Sequence, residues 1–429
     1  MNILAINPWI YDFAAYDFWL KPYGFLVILT YLKNKNININ YIDCLKKKTK
    51  ENFGRGKYYS EKIKKPEIFK SIPRYYKRYG ITIEEFKQYL INNKNPDYIL
   101  ITSSMTYWYN AIIDIVNILK TINKKPIILG GTYVNLLYEH AKENIPVDYI
   151  FTTKLLKDFF KLLNIDFNKE ELYFTLPEYE YFYKEIDYVV FRTSWGCPFN
   201  CSFCAIKETF PYNTILRLPI KKIIDFILKY YKLGIKDFVL YDDAFLYNQD
   251  YAIEFLKEIL KLNIKVRFHT PNALHLKFLN QEIAELLKKT NFINPHFGLE
   301  TLNQNLQKLW GDKVNREDLI KAVKYLKNAG FKDGEFSVYL LFGYPDQDFE
   351  ELKKDIEFLN SLGVKVSLAE YSPTPKTELF YKYQEILKEP LLHNNSIFIF
   401  WKNDIKKLWE IKNYTRYLNK KLIQYEDQI

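Results

Sequence analysis

Three cysteines fall within eight positions, Cys197-Pro-Phe-Asn-Cys201-Ser-Phe-Cys204, separated by gaps of three and two residues. A loop this short can turn three thiolates toward one point, the ligand set of a soft metal centre. Pro198 stiffens the turn, and Gly196 admits backbone angles that other residues resist. In a four-iron cubane held there, three thiolates would leave one iron without a protein ligand, and an open metal position suggests chemistry. Two plainer readings compete: a structural zinc loop, or thiols that are merely close. Structural zinc takes four ligands in paired spacing. The other donors, His269 and Cys44, lie far along the chain.

The cysteine loop follows an apolar run at 188–191, and from 187 onward strand and helix alternate six times. Strands end near Thr193, Tyr241, Thr270, Leu299, Phe342 and Glu370, and helices begin near Pro219, Gln249, Leu279, Gln304 and Asp348. Asn328-Ala-Gly330 and Ser361-Leu-Gly363 read as helix ends. Six units over 187–380 predict an open, partial (β/α)6 barrel, whose reactive groups gather where strands end. Arg267 and His269 close the third strand and His296 lies in the fourth. A His at a barrel mouth can donate a proton or orient substrate; a packed, hydrogen-bonded His is as common.

Residues 1–164 alternate in the same way. Strands are expected at 2–7, 37–44, 98–102, 126–129 and 148–152, with helices at 24–34, 83–92, 111–121 and 133–142. Short apolar runs between amphipathic helices predict an α/β unit with a doubly wound parallel sheet. Such sheets bind ligands beyond their strand ends, where Ser103-Ser104 and Gly130-Gly131 stand. Residues 165–186, charged and aromatic, read as a linker. Residues 381–429, rich in lysine, read as a helical extension that closes the barrel's open side or covers substrate.

The 429-residue chain carries a formal charge of +11. Between Lys46 and Gly80 thirteen Lys/Arg face three acidic residues, so this tyrosine-rich insertion accounts for +10 of it. It could grip RNA or an anionic substrate, but a solvated insertion is the favoured reading. Hydrophobic content of 48% argues for real cores. No run is long enough to span a bilayer, and the amino terminus opens as a strand rather than a signal peptide. Four unevenly placed cysteines make no disulfide framework, so a reducing, anaerobic cytoplasm is expected.

C-x-x-x-C-x-x-C after a strand, with Phe203 before the last cysteine, resembles the signature of the radical S-adenosylmethionine (SAM) superfamily. The resemblance implies a [4Fe-4S] cluster on Cys197, Cys201 and Cys204, with SAM on the fourth iron and cleaved reductively to a 5′-deoxyadenosyl radical. It also implies an electron donor such as ferredoxin or flavodoxin, and a small-molecule or peptide substrate. Asp242-Asp243-Ala-Phe245 is similar to the segment that accepts hydrogen bonds from the SAM amino group; either Asp could instead cap a helix. Gly298-Leu-Glu300-Thr-Leu-Asn303 resembles a segment contacting the ribose or carboxylate of SAM, which assigns Glu300 as a SAM contact rather than a surface ion pair. Leu341-Phe-Gly343-Tyr-Pro345 is similar to the turn beside the adenine, where Gly343 would let backbone approach a flat ring. Glu370-Tyr371-Ser-Pro-Thr-Pro-Lys376-Thr-Glu-Leu379 resembles the segment closing the sixth strand, with Lys376 in place of a glycine.

The first half resembles the cobalamin-binding domain that precedes many radical SAM barrels. That likeness implies that Ser103, Ser104, Gly130 and Gly131 pack against the nucleotide tail of cobalamin. The D-x-H-x-x-G motif with its cobalt-ligating His is missing. With cobalamin, the implied reaction is methyl transfer to an unactivated carbon or phosphorus. Without it, rearrangement, cyclisation or sulfur insertion follows. A reading from another class is an RNA-binding protein with a structural cysteine loop, gripping phosphates through 46–80.

Overall fold

The computed structural model describes residues 1–93, 95–122 and 124–424, so the last five residues of the expected extension lie outside the described residues. The chain divides into two compact units. The first comprises Met1–Tyr188, Lys207–Pro211 and Glu389–Leu391, and the second comprises the remainder.

In the first unit, β1 (Asn2–Asn7), β2 (Asn38–Asp43), β3 (Tyr98–Ile101), β4 (Ile127–Leu129) and β5 (Tyr149–Ile150) form one parallel sheet in the order β5-β4-β3-β1-β2. Ile3, Leu4, Ala5 and Ile6 are all buried, as a strand covered on both faces requires. The order reverses between β1 and β3, which opens a crevice at the carboxyl ends of those strands. α1 (Tyr23–Asn34), α2 (Ile83–Asn92) and α3 (Tyr109–Ile122) bury Leu26 and Leu29, Phe86 and Leu90, and Ile112 and Ile115. Thr82 caps α2 by accepting from the Glu85 N–H. The helix expected at 133–142 is two helices, Thr132–Leu136 and Tyr138–Asn144, broken where Leu137 leaves helical angles at φ −133° and ψ 55°.

The basic insertion is folded into this unit. Lys77–Tyr79 pairs antiparallel with Ile10–Asp12 on one side and Ser60–Lys62 on the other, and Phe69, Tyr76 and Tyr79 are buried. Some of its charges meet carboxylates: Lys47 meets Asp17 and Asp187, Lys50 meets Glu185 and Asp187, and Arg78 meets Glu61. The stretch read as a linker holds two short helices, Lys169–Tyr173 and Tyr179–Phe182. It is tied to α1 by Lys35–Glu171 at 2.7 Å and Lys33–Glu178 at 2.6 Å.

The second unit contains two parallel sheets. One is β6 (Val189–Phe191), β7 (Asp237–Leu240) and β8 (Arg267–His269). The other is β9 (Leu274–His275), β10 (His296–Glu300), β11 (Ser337–Phe342) and β12 (Lys365–Glu370). The expected third strand is β8, and β9 is a further short strand beyond its expected end near Thr270. Pro271 brings no N–H to a ladder, and Ala273 turns the chain at φ 68° before pairing resumes. Between strands lie α4 (Ile220–Lys232), α5 (Gln249–Lys261), α6 (Gln281–Lys289), α7 (Gln304–Leu309), α8 (Arg316–Asn328) and α9 (Phe349–Ser361). The amphipathic faces of α4 and α5 bury Ile223, Phe226 and Ile227, and Phe255, Leu256 and Ile259. α10 (Ile405–Gln424) lies along the free edge of β12, where Asn419 accepts from the Val366 N–H at 3.0 Å and donates to its carbonyl at 2.8 Å. That side chain satisfies an edge which would otherwise be left unpaired.

Candidate active site

The cysteine loop leaves the end of β6 and is fixed at several points. Arg192, just past β6, donates to both carboxylate oxygens of Asp243, at 2.5 and 3.2 Å, and lies 4.6 Å from the Trp195 ring centroid. The Cys204 N–H donates to the Cys201 carbonyl at 3.0 Å, and the Leu379 N–H to the Ser202 carbonyl at 2.9 Å. Gly311, at φ 108°, lies so close to the loop that an added Cβ would stand 3.3 Å from the Cα of Cys201. Trp310 presses edge-on against Phe203, with centroids 5.9 Å apart.

Cys197 and Cys201 are half-buried and Cys204 is exposed. Burial is the first cause that pushes their thiols up, Cys197 to about 12 and Cys201 to about 11. The protein packed around Cys204 raises its thiol too, despite the open surface. A metal that bound these thiols would displace their protons. Among the described residues no three His, Cys, Asp or Glu side chains converge as a single-ion site.

A cavity of about 10 Å³ lies against this loop, lined by Cys201, Phe203, Glu300, Thr301, Trp310 and Lys313 among others. Glu300 occupies a bulge of β10 at φ 67°, a left-handed conformation that is strained for a side-chain-bearing residue. Its carboxylate accepts from Lys313 Nζ at 2.9 Å, with both side chains about one-sixth exposed. Burial by itself would lower the Lys313 ammonium, but Glu300 and the nearby Cys201 overcome it and raise its pKa. Gly298 makes room for this pair: a Cβ there would stand 2.7 Å from Lys313 Nζ and 3.0 Å from Glu300 Oε1.

Ser202 Oγ, His275 Nδ1 and the Tyr371 hydroxyl are buried without a hydrogen-bond partner. Each unsatisfied group costs about 1–3 kcal/mol unless something fills the space beside it. Three thiols from one loop, an enclosed charged pair and unpartnered polar atoms on the surrounding elements fit an iron–sulfur cluster with a polar cofactor.

Several expectations are corrected by the side chains. Asp242 caps no helix and faces no ligand. It is 3% exposed and accepts from the Thr193 N–H, Thr193 Oγ1 and Ser194 Oγ, holding the turn that launches the cysteine loop. Burial pushes its carboxyl up to about 6 against these donors. The helix that follows is capped by Asn248 instead. His269 is not at the mouth. It is 2% exposed and bonded through Nε2 to Asp237, the first residue of β7, at 2.8 Å. Burial would raise the Asp237 carboxyl, but hydrogen bonds from Arg267 and His269 hold it below its usual range. Gly343, at φ 79°, offers no face to an adenine, because Ile399 occupies that space and an added Cβ would meet it at 2.7 Å. Tyr371 is buried with its ring edge-on to Phe398. Lys376 keeps the glycine-like turn at φ 67°.

In the first unit, Ser103 is 4% exposed and donates to the Gly130 carbonyl at 2.7 Å. Gly131, at φ 104°, lies so close that a Cβ would stand 2.3 Å from the Ser103 carbonyl oxygen. These three residues support one another, and Ser103 also lines the cleft that Ser104 faces. Ser104 lines a cleft of about 40 Å³ at the reversal between β1 and β3, with Asn7, Trp9, Lys21 and Trp108. Lys21 stands 3.7 Å from the Tyr183 ring centroid. His140, the one histidine in this unit, is bonded to the Tyr133 hydroxyl at 2.6 Å.

Sequence reasoning missed Lys313, Trp310, Arg192 and His275. Trp310-Gly311-Asp-Lys313 has no periodicity, and its one signal is a glycine soon after a short helix. Arg192 and His275 stand directly at strand ends, where the barrel rule could have found them.

Residues 192–359 match the family model described as the Radical SAM superfamily. An uncharacterized methyltransferase of Pyrococcus horikoshii is 24% identical over 328 residues, covering 68% of this chain and 70% of that protein. The radical S-adenosylmethionine methyltransferase TsrM of Kitasatospora setae, solved with cobalamin and a [4Fe-4S] cluster, superposes with a TM-score of 0.64. That match is at 15% identity and covers 90% of this chain and 75% of TsrM. The cobalamin-dependent S-adenosylmethionine radical enzyme OxsB, solved with aqua-cobalamin and S-adenosylmethionine, gives 0.58 at 15% identity, covering 91% and 56%. At such identities the likeness is one of fold. Among the described residues no helix is long and apolar enough to cross a membrane.

Proposed function

We propose, on the match of residues 192–359 to the Radical SAM superfamily model, that this chain is a radical SAM enzyme and a cobalamin-using methyltransferase acting on an unactivated centre of a small molecule or peptide. The observation that carries the reading is the cysteine loop itself, clamped at the end of β6 beside an enclosed Glu300–Lys313 pair. Cys197, Cys201 and Cys204 would hold a [4Fe-4S] cluster. When bound, that cluster supplies an electron and an open iron for the reductive cleavage of SAM, with ferredoxin or flavodoxin as the electron's source. Lys313 and Glu300 present a cation and an anion, matching the carboxylate and ammonium of a methionyl group. Asp243, held by both nitrogens of Arg192, keeps a carboxylate at the end of β7. Phe203 and Trp310 give the cavity an apolar wall that sheds water.

For the first unit, the likeness in fold to TsrM and OxsB supports a corrin at the strand ends, with Ser104, Asn7 and Lys21 lining the cleft. Cobalamin, when bound, supplies a methyl carrier. A second reading, a cobalamin-independent radical enzyme, is favoured by the missing D-x-H-x-x-G motif.

One preparation tests all of this. Protein made anaerobically with iron, sulfide and cobalamin should show four irons per chain, turn SAM into 5′-deoxyadenosine and methionine under a strong reductant, and carry a corrin absorption band. Iron and cleavage without the corrin band would leave the second reading. A colourless, inert protein would overturn both.

A further inference from the structure

His275 ends β9 and is paired in register with Gly298 of β10. Paired residues of a parallel ladder project to the same face, and the open space over Gly298 holds Lys313 and Glu300. His275 therefore points toward the charged pair beside the cysteine loop. Its ring stacks on Phe199, between the first two cysteines, with centroids 5.0 Å apart and planes 17° off parallel. Tyr247 and Phe278 complete an aromatic packet around Phe199, at 6.4 and 6.0 Å. Only 6% of His275 is exposed. Its Nδ1 is buried and makes no hydrogen bond, which sets it apart from His269 on Asp237, His140 on Tyr133 and His393 on the Leu387 carbonyl.

An imidazole that only filled space could be a phenyl ring, as its neighbours are. Stacking orients the ring against the loop, while a buried unpaired nitrogen costs stability unless a ligand meets it. We propose that His275 is a positioning residue for the iron–sulfur centre, holding the loop through Phe199 and giving the cluster a neutral hydrogen bond from its ring. This rests on the radical SAM reading above. Burial first, and Lys313 second, hold the ring's pKa down to about 3, so the imidazole stays uncharged with one N–H to give. Hydrogen bonds to cluster sulfur raise its reduction potential by stabilising the more negative, reduced state.

The test compares wild type, His275→Phe and His275→Gln after anaerobic reconstitution, reading iron content, midpoint potential and SAM affinity. Phenylalanine keeps the stack and removes the nitrogen; glutamine gives up the stack and keeps a donor. We expect four irons in each protein. In H275F the reduction equilibrium should fall about tenfold, a shift of about 59 mV to more negative potential for a one-electron couple. H275Q should recover at least half of that shift, and SAM affinity should stay within about twofold throughout. A potential in H275F that matches wild type overturns the proposal. So does a tenfold loss of SAM affinity at unchanged potential, which would turn the nitrogen toward the cofactor instead. Wild type that takes up no iron overturns the radical SAM reading, and this proposal with it. A full cluster with an unmoved potential overturns the proposal alone.

Discussion

The same architectural rule places polar residues at strand ends in both units, yet the two sets of ends are finished differently. In the first unit Ser103 is bonded to the Gly130 carbonyl and Gly131 nests against Ser103. In the second, Asp242 and His269 are spent in the same way, whereas Ser202, His275 and Tyr371 keep buried polar atoms unpartnered and Glu300 stands in a strained backbone conformation. Strain and unsatisfied groups persist where the surrounding structure over-determines them, which is characteristic of ligand sites. The lesson is that a position at a strand end is weak support for a ligand contact. An unspent hydrogen-bonding group at that position is stronger.

The largest test of this contrast removes one group from each side. Cys201→Ser should cut SAM cleavage by more than about 100-fold and lower the iron content of reconstituted protein, since even outer-shell changes at metal sites cost about 10–100-fold. Ser103→Ala should leave cleavage within about twofold and cost about 1 kcal/mol in a denaturant titration. Equal losses of activity in the two variants would erase the distinction.

Next comes the charged pair. Glu300→Gln leaves the Lys313 ammonium enclosed without its carboxylate. Fully buried pairs lose about 3–5 kcal/mol when one partner is removed; the residual exposure here reduces that to about 2 kcal/mol. Adding Lys313→Met should return most of the stability, because an apolar replacement needs no counter-charge. SAM affinity should fall in both the single and the double variant. Affinity that recovered along with stability would show the pair to be scaffolding.

Much of the layout was legible in advance. Apolar runs and helix periodicity locate both sheets, because burial on two faces forces that pattern on the chain. Cys197-x-x-x-Cys201-x-x-Cys204 marks the loop, since its ligands are local in sequence. What escaped was non-local. Whether Asp242 or Asp243 turns inward depends on Thr193 and Ser194, about 49 positions earlier. The partner of Glu300 lies beyond a short helix, and His275 matters because a short strand beyond the third brings it against Phe199. Gly343 looked like space for a ligand, but the sequence pattern could not show Ile399 filling it.

Asp242 and Asp237, at opposite ends of β7, sharpen the contrast through pH. The Asp242 carboxyl is raised from 3.8 to about 6, so its protonated form is favoured by folding. Its contribution is complete below about pH 4 and is lost as pH rises through about 6, a change of about 3 kcal/mol for two pKa units. Asp237 is held low, so its contribution is present above about pH 4 and fades as the protein is acidified through its folded value. Unfolding titrations of wild type and Asp242→Asn from pH 4 to 8 should therefore diverge toward high pH, with the asparagine variant gaining. Parallel curves would show that Thr193 and Ser194 keep the carboxylate ionised at little cost.

The smallest effect concerns a turn rather than a ligand. Lys376 takes φ 67°, a region that favours glycine, and a left-handed angle costs a side-chain-bearing residue about 1–2 kcal/mol. Glycine removes that strain but adds freedom to the unfolded chain, worth about 0.5–1 kcal/mol in the other direction. Lys376→Gly should then gain about 0.5 kcal/mol and raise the melting temperature by about 1–2 °C. Glu300 shares the same backbone region, at the same φ of 67°. Glu300→Gly should not gain in the same way, because the carboxylate it removes is the partner of Lys313. If both glycine variants were stabilised alike, the strain at Glu300 would be a property of turns in general and would carry no information about a site.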